Sequence, residues 1–292
     1  MKKKLVDLHL HSTCSDGLYA PEEVVRLAAE AGLAAIALCD HDNVDGTDAA
    51  LAAGDRFGVE VLSGVELSTV WTDFSDLHLL GYGIDHRHPE LTANLVEFRV
   101  FRESRNERIV ERINARLAEE GRTPIAFEQV LARAGGTIGR PHIAQELIAS
   151  GHVKTAEEAF QRYLVPCNVA KRFFPLDEAI DLVHRAGGVA VLAHPPFVTG
   201  DRRVLESLLD VFVDLGLDGV EAWNSGATRH DIEWYITLAR RRGLLVTGGS
   251  DFHGTEGGTV QIGRGRGQLR IPYACVEELR EALAARQGEA GR

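Results

Sequence analysis

The sequence contains few cysteines, and their positions indicate neither disulfide bonds nor a cysteine-ligated metal site. Cys14, Cys39, Cys167 and Cys275 are far apart and form no C-x-x-C pair, which argues against a structural zinc site. No secretory segment follows the first residues, and no apolar run approaches the roughly 20 residues of a membrane span. We therefore expect reduced thiols, a cytoplasmic location and no contact with membranes.

Positive charge is also scarce, because 32 Lys and Arg stand against 43 Asp and Glu, giving a formal charge of −11. Such an acidic chain is not expected to bind duplex nucleic acid, so an anionic substrate must be attracted by local positive charge or by metal. The glycine-rich segments 248–250 and 263–267 lack the following Lys-Ser/Thr of a nucleotide P-loop. With 292 residues, the chain can bury a large core.

Short apolar runs alternate with amphipathic stretches, which is typical of βα units around a mostly parallel sheet. We predict strands at residues 4–11, 33–39, 59–65, 77–84, 188–193, 219–223 and 244–248. Pro21, Glu22 and Glu23 begin a helix between the first two strands, and Gly32 ends it. Seven such units favour a closed or nearly closed barrel.

The alternation stops between residues 89 and 174, where helices are predicted at 95–120, 126–134, 141–150 and 155–163. Glycines at 121, 135, 136, 139 and 151 separate these helices. We predict a barrel formed by 1–88 and 175–292, with a helical insertion at 89–174 that covers its mouth. The first helix carries arginines at three- and four-residue steps: Arg99, Arg102, Arg105, Arg108, Arg112 and Arg116. They form either a solvated face offset by nearby glutamates or an attractor for a polyanionic substrate.

Histidines and carboxylates follow the predicted strands, where a barrel places its catalytic groups. Only one of them, His78, lies early in its strand. The set comprises nine residues from six segments: His9, His11, Asp16, His41, Glu66, His78, His194, Asp251 and His253. Imidazole and carboxylate without thiolate suit Mn²⁺, Fe²⁺, Zn²⁺ or Mg²⁺. Nine ligands are too many for one ion, whereas two or three ions with a bridging carboxylate would use them, and such clusters serve phosphoester hydrolysis.

The motifs D-x-H-x-H-S, D-H-D, G-V-E, a mid-chain His, A-H-P and S-D-x-H resemble, in this order, those of the PHP (polymerase and histidinol phosphatase) family. The resemblance implies an α/β fold, a distorted (β/α)7 barrel, with three metals. One ion would be held by His9, His11, Glu66 and Asp251. Glu66 would bridge to a second ion on His78 and His194, and Asp16, His41 and His253 would hold a third. The expected metal is manganese, with iron or zinc as alternatives.

Other polar residues near the strand ends have two interpretations each. Asp40 and Asp42 are outer partners of the ligands or a proton relay, and Asp40 is a candidate catalytic residue beside Glu66 and Asp251. Asp7 is an acceptor for a metal-bound histidine or a solvent-screened carboxylate.

The segment Gly139–Ala144 resembles the family branch that includes 3′,5′-nucleoside bisphosphate phosphatases and a 5′→3′ oligoribonuclease. Arg140 and His142 follow a glycine and begin a helix with Pro141, so we predict a phosphate site there. The alternative for Arg140 is a surface salt bridge. Lys171 and Arg172 have two interpretations: they bind a phosphate, or they simply lie where the chain returns to the barrel. Asn224 follows the sixth strand and is a further candidate for substrate binding.

These features predict a phosphoesterase in which a hydroxide bridging the metals attacks phosphorus in line. The expected substrate is a nucleoside 3′,5′-bisphosphate that loses its 3′-phosphate. The alternatives are 5′→3′ trimming of short oligoribonucleotides, histidinol phosphate hydrolysis, and a non-catalytic metal-stabilised module. The sequence leaves the oligomeric state open.

Overall fold

The computed structural model describes residues 4–134, 138–254 and 258–290. The predicted connection at Gly135, Gly136 and Thr137 lies outside these ranges. None of the helices within them combines the length and the apolar character that crossing a lipid bilayer requires.

All seven predicted strands are present, and they form one sheet. The strands are β1 (Val6–Leu10), β2 (Ala35–Leu38), β3 (Glu60–Trp71), β4 (Phe74–Tyr82), β5 (Phe174–Pro175), β6 (Val189–Leu192), β7 (Gly219–Trp223) and β8 (Leu245–Gly248). The order is β1-β2-β3-β4-β6-β7-β8, and the short β5, which was not predicted, pairs with β3. Because every predicted strand lies on this path, the apolar runs alone were sufficient to predict the strands of the path.

One strand runs against the others. Strand β4 is antiparallel to both β3 and β6, whereas the remaining neighbours pair in parallel. The prediction of a mostly parallel sheet is therefore confirmed with one reversal. Strand β3 is also longer than predicted, because it continues to Trp71 and forms a hairpin with β4.

The first and last strands of the path approach each other at their carboxyl ends. Asp251 N–H donates to the carbonyl of His9 at 2.9 Å, and His11 N–H donates to that of Phe252 at 3.0 Å. Gly249 makes this approach possible, since a Cβ there would lie 2.1 Å from the Cβ of His9. The segment after β8 is thus joined to the end of β1.

The helices cover the sheet and form the inserted segment. They are α1 (Pro21–Glu30), α2 (Thr47–Phe57), α3 (Pro89–Glu119), α4 (Phe127–Arg133), α5 (Arg140–Ala149), α6 (Ala156–Ala159), α7 (Leu176–Arg185), α8 (Arg202–Asp214), α9 (Arg229–Arg241) and α10 (Ala274–Ala290). A π-helical turn (Phe160–Leu164) follows α6. Helices α3 to α6 occupy the predicted insertion.

The insertion has an apolar cluster of its own. Ile109, Ile113 and Leu117 of α3 pack with residues of α4, α5 and the π-helical turn. The first part of α3 differs, because Leu91 and Leu95 pack in the main cluster with the sheet. Helix α3 therefore spans both clusters. A division of the chain at residues 89 and 174 stays a prediction.

Candidate metal centre and substrate cleft

The ends of the strands place the predicted histidines and carboxylates together. His9 lies in β1 and His11 follows two residues later, so their rings share one face of the chain. Their centroids are 5.0 Å apart. The ring of His11 also stacks on that of His253 at 4.0 Å. Segments from both ends of the chain thus meet at one site.

The reversal of β4 explains the position of His78 in the sequence. His78 pairs with Ser68 of β3, and its carbonyl accepts the N–H of Ala193, just after β6. The beginning of an antiparallel strand lies beside the ends of its neighbours. His78 therefore reaches the same site as His194, and their ring nitrogens lie 3.2 Å apart.

The carboxylate of Glu66 lies at the centre of this site and is fully buried. Its Oε2 atom lies 3.2 Å from His9 Nε2, 3.3 Å from His11 Nε2 and 2.9 Å from His41 Nδ1. Its Oε1 atom faces another pair of rings, at 2.8 Å from Nδ1 of His78 and 3.0 Å from Nε2 of His194. The two oxygens thus face different groups of imidazoles.

Two further carboxylates extend the site beyond Glu66. Asp251 Oδ1 lies 3.2 Å from His11 Nε2. Asp16 Oδ1 lies 3.1 Å from His253 Nε2 and 3.9 Å from His41 Nε2. All nine residues singled out in the sequence therefore take part in one continuous cluster.

Three site residues have a strained backbone. Asp42, His194 and Asp251 adopt φ values of 48°, 27° and 57°, in the left-handed region that favours glycine. Each follows the end of a strand, and the turns there direct the side chains of His194 and Asp251 into the cluster and that of Asp42 onto Ser68. Such strain persists only where the surrounding contacts hold it, and it is concentrated at functional sites.

Asp40 positions the loop that carries Asp16. Its Oδ1 accepts the N–H of Ser12 at 2.7 Å and the hydroxyl of Ser15 at 2.6 Å, and its Oδ2 accepts the Ser12 hydroxyl at 2.7 Å. Both oxygens are thus engaged by one loop. This geometry gives Asp40 a positioning role, and its direct part in catalysis stays a prediction.

Asp7 and Asp42 likewise hold the backbone. Asp7 accepts the N–H groups of Ser250 at 2.8 Å and Gly263 at 2.6 Å, which ties β1 to the chain after β8. Burial raises the pKa of Asp7 to about 6. Asp42 accepts both the N–H and the hydroxyl of Ser68. The alternatives proposed for Asp7 from the sequence did not include this role.

The sequence interpretation missed Glu221. This fully buried residue of β7 accepts Nδ1–H of His9 at 2.9 Å through Oε1 and the N–H of His194 at 2.7 Å through Oε2. A proton held on Nδ1 leaves the Nε2 lone pair of His9 directed toward Glu66. The sequence feature that could have identified Glu221 was a glutamate in the middle of an apolar strand.

The charges of the cluster favour ionised carboxylates. Burial opposes ionisation of Glu66, but the charges of His41 and His78 hold its pKa well below its usual range. Burial lowers the pKa of His253, yet the adjacent carboxylate of Asp16 outweighs it and raises that pKa to about 9. The carboxylates thus attract positive charge, which divalent cations supply as well as protons do.

The residues present fit divalent metal ions. Several buried atoms of the cluster have no hydrogen-bond partner among the described residues: His9 Nε2, both ring nitrogens of His11, Asp16 Oδ1, His41 Nδ1, Glu66 Oε2 and His194 Nδ1. Three groups have ligand atoms close enough for one ion each: His9, His11, Glu66 and Asp251; His11, Asp16, His41 and His253; and His41, Glu66 and His78. Buried polar atoms without partners are costly, and a cation would satisfy them.

A cavity of about 230 Å³ separates the cluster from the insertion. His41 and His78 line it on the sheet side. Phe101 of α3 and Phe160 of the π-helical turn line it on the other side. A second cavity, of about 330 Å³, borders the cluster at Glu66, His194 and Asp251 and shares His41, His78 and Lys171 with the first.

Arg140 is the cation of the first cavity without a hydrogen-bond or ion-pair partner in the described part of the chain. Its guanidinium carbon lies 5.4 Å from the ring centre of Phe160. Burial and the charges of Arg140 and Arg102 lower the pKa of Arg105 to about 10, which marks this end of the cavity as positive. Within the described ranges, the surface salt bridge considered for Arg140 is therefore not observed.

Lys171 and Arg172 also line the first cavity, but each has a carboxylate partner. Lys171 forms an ion pair with Asp76 at the start of β4, and Arg172 pairs with Glu97 at 3.1 Å. Their position beside the cluster agrees with contact to an anionic substrate. Such contact stays a prediction.

His142 and Asn224 stabilise turns. Nδ1 of the buried His142 accepts the N–H of Gly139 at 3.0 Å, which fixes the turn before Arg140. The buried Asn224 accepts the N–H of Gly226 at 3.0 Å and donates to the carbonyl of Glu221 at 3.3 Å. Neither side chain lines the two cavities, and their direct roles in substrate binding stay predictions.

The arginines of α3 hold the helix in place. Arg102 pairs with Asp42 at the sheet, and Arg105 donates to the carbonyl of Val169 at 2.8 Å. Arg112 donates to the chain at residue 168. These contacts join α3 to the segment after β2 and to the returning chain, so much of the series is engaged within the protein.

Replacing Glu221 by glutamine is expected to weaken metal binding, because an amide has only one acceptor oxygen for the two N–H groups, of His9 and His194, that the carboxylate holds. Loss of such an outer partner costs roughly tenfold to a hundredfold in metal affinity. Titration of chelator-treated protein with Mn²⁺ by calorimetry measures it. The exposed Glu233→Gln, on α9, is the control, and equal affinities in the two variants would contradict this role.

Comparisons with known proteins agree with this geometry. The PHP domain family matches residues 7–167. A 5′-3′ exoribonuclease of Haemophilus influenzae is 34% identical over 264 residues, which cover 89% of this chain and 94% of the relative. A 3′,5′-nucleoside bisphosphate phosphatase of Chromobacterium violaceum is 35% identical over 263 residues, covering 88% and 90%.

A solved structure from Bifidobacterium adolescentis, of a predicted metal-dependent phosphoesterase, superposes with a TM-score of 0.82 at 34% identity, covering 94% of this chain and 95% of the other. The predicted fold class is thereby confirmed, although strand pairing that closes a full ring is not observed among the described residues. The chain belongs to the PHP domain family and is a metal-dependent phosphoesterase.

Proposed function

We propose that the protein hydrolyses the 3′-phosphate of nucleoside 3′,5′-bisphosphates, such as 3′,5′-adenosine bisphosphate, to a 5′-mononucleotide and phosphate. The observation that carries this proposal is the guanidinium of Arg140, which has no hydrogen-bond or ion-pair partner among the described residues and lines the cavity beside the histidine–carboxylate cluster. A substrate with two phosphates can engage both places at once. The similar Chromobacterium violaceum protein carries this activity in its name.

The proposed ligands are those that the resemblance implies, and Glu66 would bridge two of the ions. Its two oxygens face separate sets of imidazoles, which supports a carboxylate shared between two ions. When bound, such ions, with manganese as the expected metal, lower the pKa of a water and neutralise charge on the phosphoryl oxygens. Asp251 and Glu66 would take part in catalysis as ligands.

The remaining roles belong to the chain itself. Glu221 and Asp40 keep His9 and the Asp16 loop in position. Arg140 binds the phosphate that is not cleaved, because its planar fork of donors matches phosphate oxygens and stays charged. The rings of Phe101 and Phe160 provide apolar walls for the nucleoside.

A second candidate is 5′→3′ hydrolysis of short RNA, in which the phosphate at the 3′ position is a diester. The second cavity, of about 330 Å³ beside the cluster, offers room for a following nucleotide. The Haemophilus influenzae relative is named as an exoribonuclease. Histidinol phosphate, with a single phosphate, leaves Arg140 without a role. A non-catalytic module leaves the complete ligand set unexplained.

Rates with different substrates in labelled water test this proposal. We expect kcat/KM for a 3′,5′-bisphosphate to exceed that for histidinol phosphate by roughly tenfold or more, the worth of one charge-assisted contact. The oxygen of water joins phosphorus as the bond to O3′ breaks and O3′ takes up a proton. In ¹⁸O water, one labelled oxygen should therefore appear in the phosphate, as mass spectrometry reveals.

Two results would contradict the proposal. Label in the nucleoside hydroxyl would mean that the carbon–oxygen bond breaks. Equal or faster turnover of histidinol phosphate would remove the preference for two phosphates.

A further inference from the structure

Phe197 is an aromatic residue exposed beside the metal centre. It ends the short 3₁₀ turn Pro195–Phe197 after His194, and 64% of it is accessible to solvent. Its ring lines the second cavity together with Glu66, His194 and Asp251. Single exposed aromatic rings are common on protein surfaces. The position of Phe197 and its contacts therefore decide whether its ring can bind a ligand.

One side of the Phe197 ring packs against the protein, and the other side is exposed to solvent. A Cβ at Gly226 would lie 3.2 Å from Cζ of Phe197, tighter than ordinary van der Waals contact, so the ring packs closely on a turn that lacks a side chain. Asn224 fixes that turn by accepting the Gly226 N–H. The His194 ring meets the Phe197 ring edge-on, with centroids 5.2 Å apart. Two prolines before Phe197 restrict its backbone.

The position of this ring relates to the two cavities. The first cavity contains Arg140, and the proposed function assigns it to the nucleoside whose other phosphate is bound there. The second cavity shares His41, His78 and Lys171 with the first, and Phe197 lies on its wall. With the nucleoside in the first cavity, the cavity of Phe197 offers adjoining space beside the cluster for a group attached beyond the cleaved phosphate.

We infer that Phe197 is the stacking platform for the base of the nucleotide on the 3′ side of the cleaved phosphate. This inference rests on the proposed phosphoester hydrolysis and specifies a substrate with a second nucleotide, a 5′-phosphorylated dinucleotide or longer. Phe197 makes no base-specific hydrogen bond, so it accepts any base. Stacking on aromatic rings is tolerant of sequence for this reason.

The first test compares two substrates in several variants. Phe197→Ala should lower the ratio of kcat/KM for a 5′-phosphorylated dinucleotide to that for a 3′,5′-bisphosphate by roughly fivefold to a hundredfold, through KM. Phe197→Tyr should keep the ratio. Phe197→Leu covers Gly226 without an aromatic face and should lower it. Val211→Ala, at an exposed apolar position of α8, is the control.

The second test measures stacking without turnover. A dinucleotide whose bridging 3′ oxygen is replaced by CH₂ cannot be cleaved, and 2-aminopurine as its second base reports stacking by fluorescence. We expect wild-type protein and Phe197→Tyr to bind it and change its fluorescence, and Phe197→Ala to bind it more weakly. Metal content of each variant shows whether His194 has moved.

The outcomes separate this inference from the proposed function. Equal losses on both substrates, or a normal ratio in Phe197→Leu, would overturn the platform and leave a packing role. If wild-type protein cleaves neither substrate but 2-aminopurine binding depends on an aromatic residue 197, the platform stands and the proposed function fails. If the bisphosphate is cleaved but the second base does not stack on Phe197, the platform is wrong and the proposed function is unaffected.

Discussion

Replacing Glu66 by glutamine is expected to abolish metal binding and activity together. One carboxylate oxygen faces the nitrogens of His9, His11 and His41, and the other faces those of His78 and His194. An amide carries no charge and offers only one acceptor atom, so it cannot serve two cations. The loss in turnover should exceed the roughly hundredfold typical for an outer partner. Elemental analysis beside steady-state rates measures both effects.

A matched control separates the loss of metal from a loss of folding. Glu146 is also a buried glutamate, but it pairs with Arg133 at 2.6 Å within the insertion. Glu146→Gln should lower stability while it keeps metal and activity. Thermal unfolding of both variants checks the comparison. If Glu66→Gln retained its metals and a near-normal rate, the bridging role of Glu66 would be wrong.

The sequence predicted the strands well because burial leaves a strong local signal. Each strand on the path is a short apolar run, and its position does not depend on its neighbours. The direction of β4 could not be predicted in the same way, since an apolar run has the same pattern in a parallel strand and in an antiparallel one. The one indication was His78, which lies early in its strand. A ligand displaced from the carboxyl end is what a reversed strand produces.

The residue types of the candidate site were predictable, but the partners were not. Imidazoles and carboxylates at strand ends identified the cluster, because so many such groups are costly inside a protein unless cations or hydrogen bonds satisfy them. Glu221, by contrast, is close to His9 only in the folded chain, 212 positions apart. Asp40 also lies at a strand end, yet its oxygens are engaged by the Ser12–Ser15 loop. Side-chain direction after a strand depends on backbone turns that no sequence pattern specifies.

Replacing Arg140 by alanine is expected to impair hydrolysis of a bisphosphate far more than that of a nucleotide with only the cleaved 3′-phosphate. Arg140 lines the cavity and contacts the Phe160 ring, with no carboxylate partner among the described residues. Losing a charge-assisted contact costs about 1.5–3 kcal/mol, or roughly tenfold to more than a hundredfold in kcat/KM. The measurement is kcat/KM for both substrates in wild type and variant.

Two further variants identify the cause of this loss. Arg140→Lys keeps the charge but not the planar fork, so it should restore only part of the preference for two phosphates. Arg108→Ala removes an exposed arginine of α3 whose side chain donates to the carbonyl of Ser104, and it should affect both substrates equally and little. Because a positive charge anywhere near the cleft attracts anions, only the difference between Arg140 and Arg108 indicates direct contact. Equal losses on both substrates in Arg140→Ala would remove Arg140 from phosphate recognition, and the preference for a second phosphate would then need another cation of the cavity, such as Lys171 or Arg172.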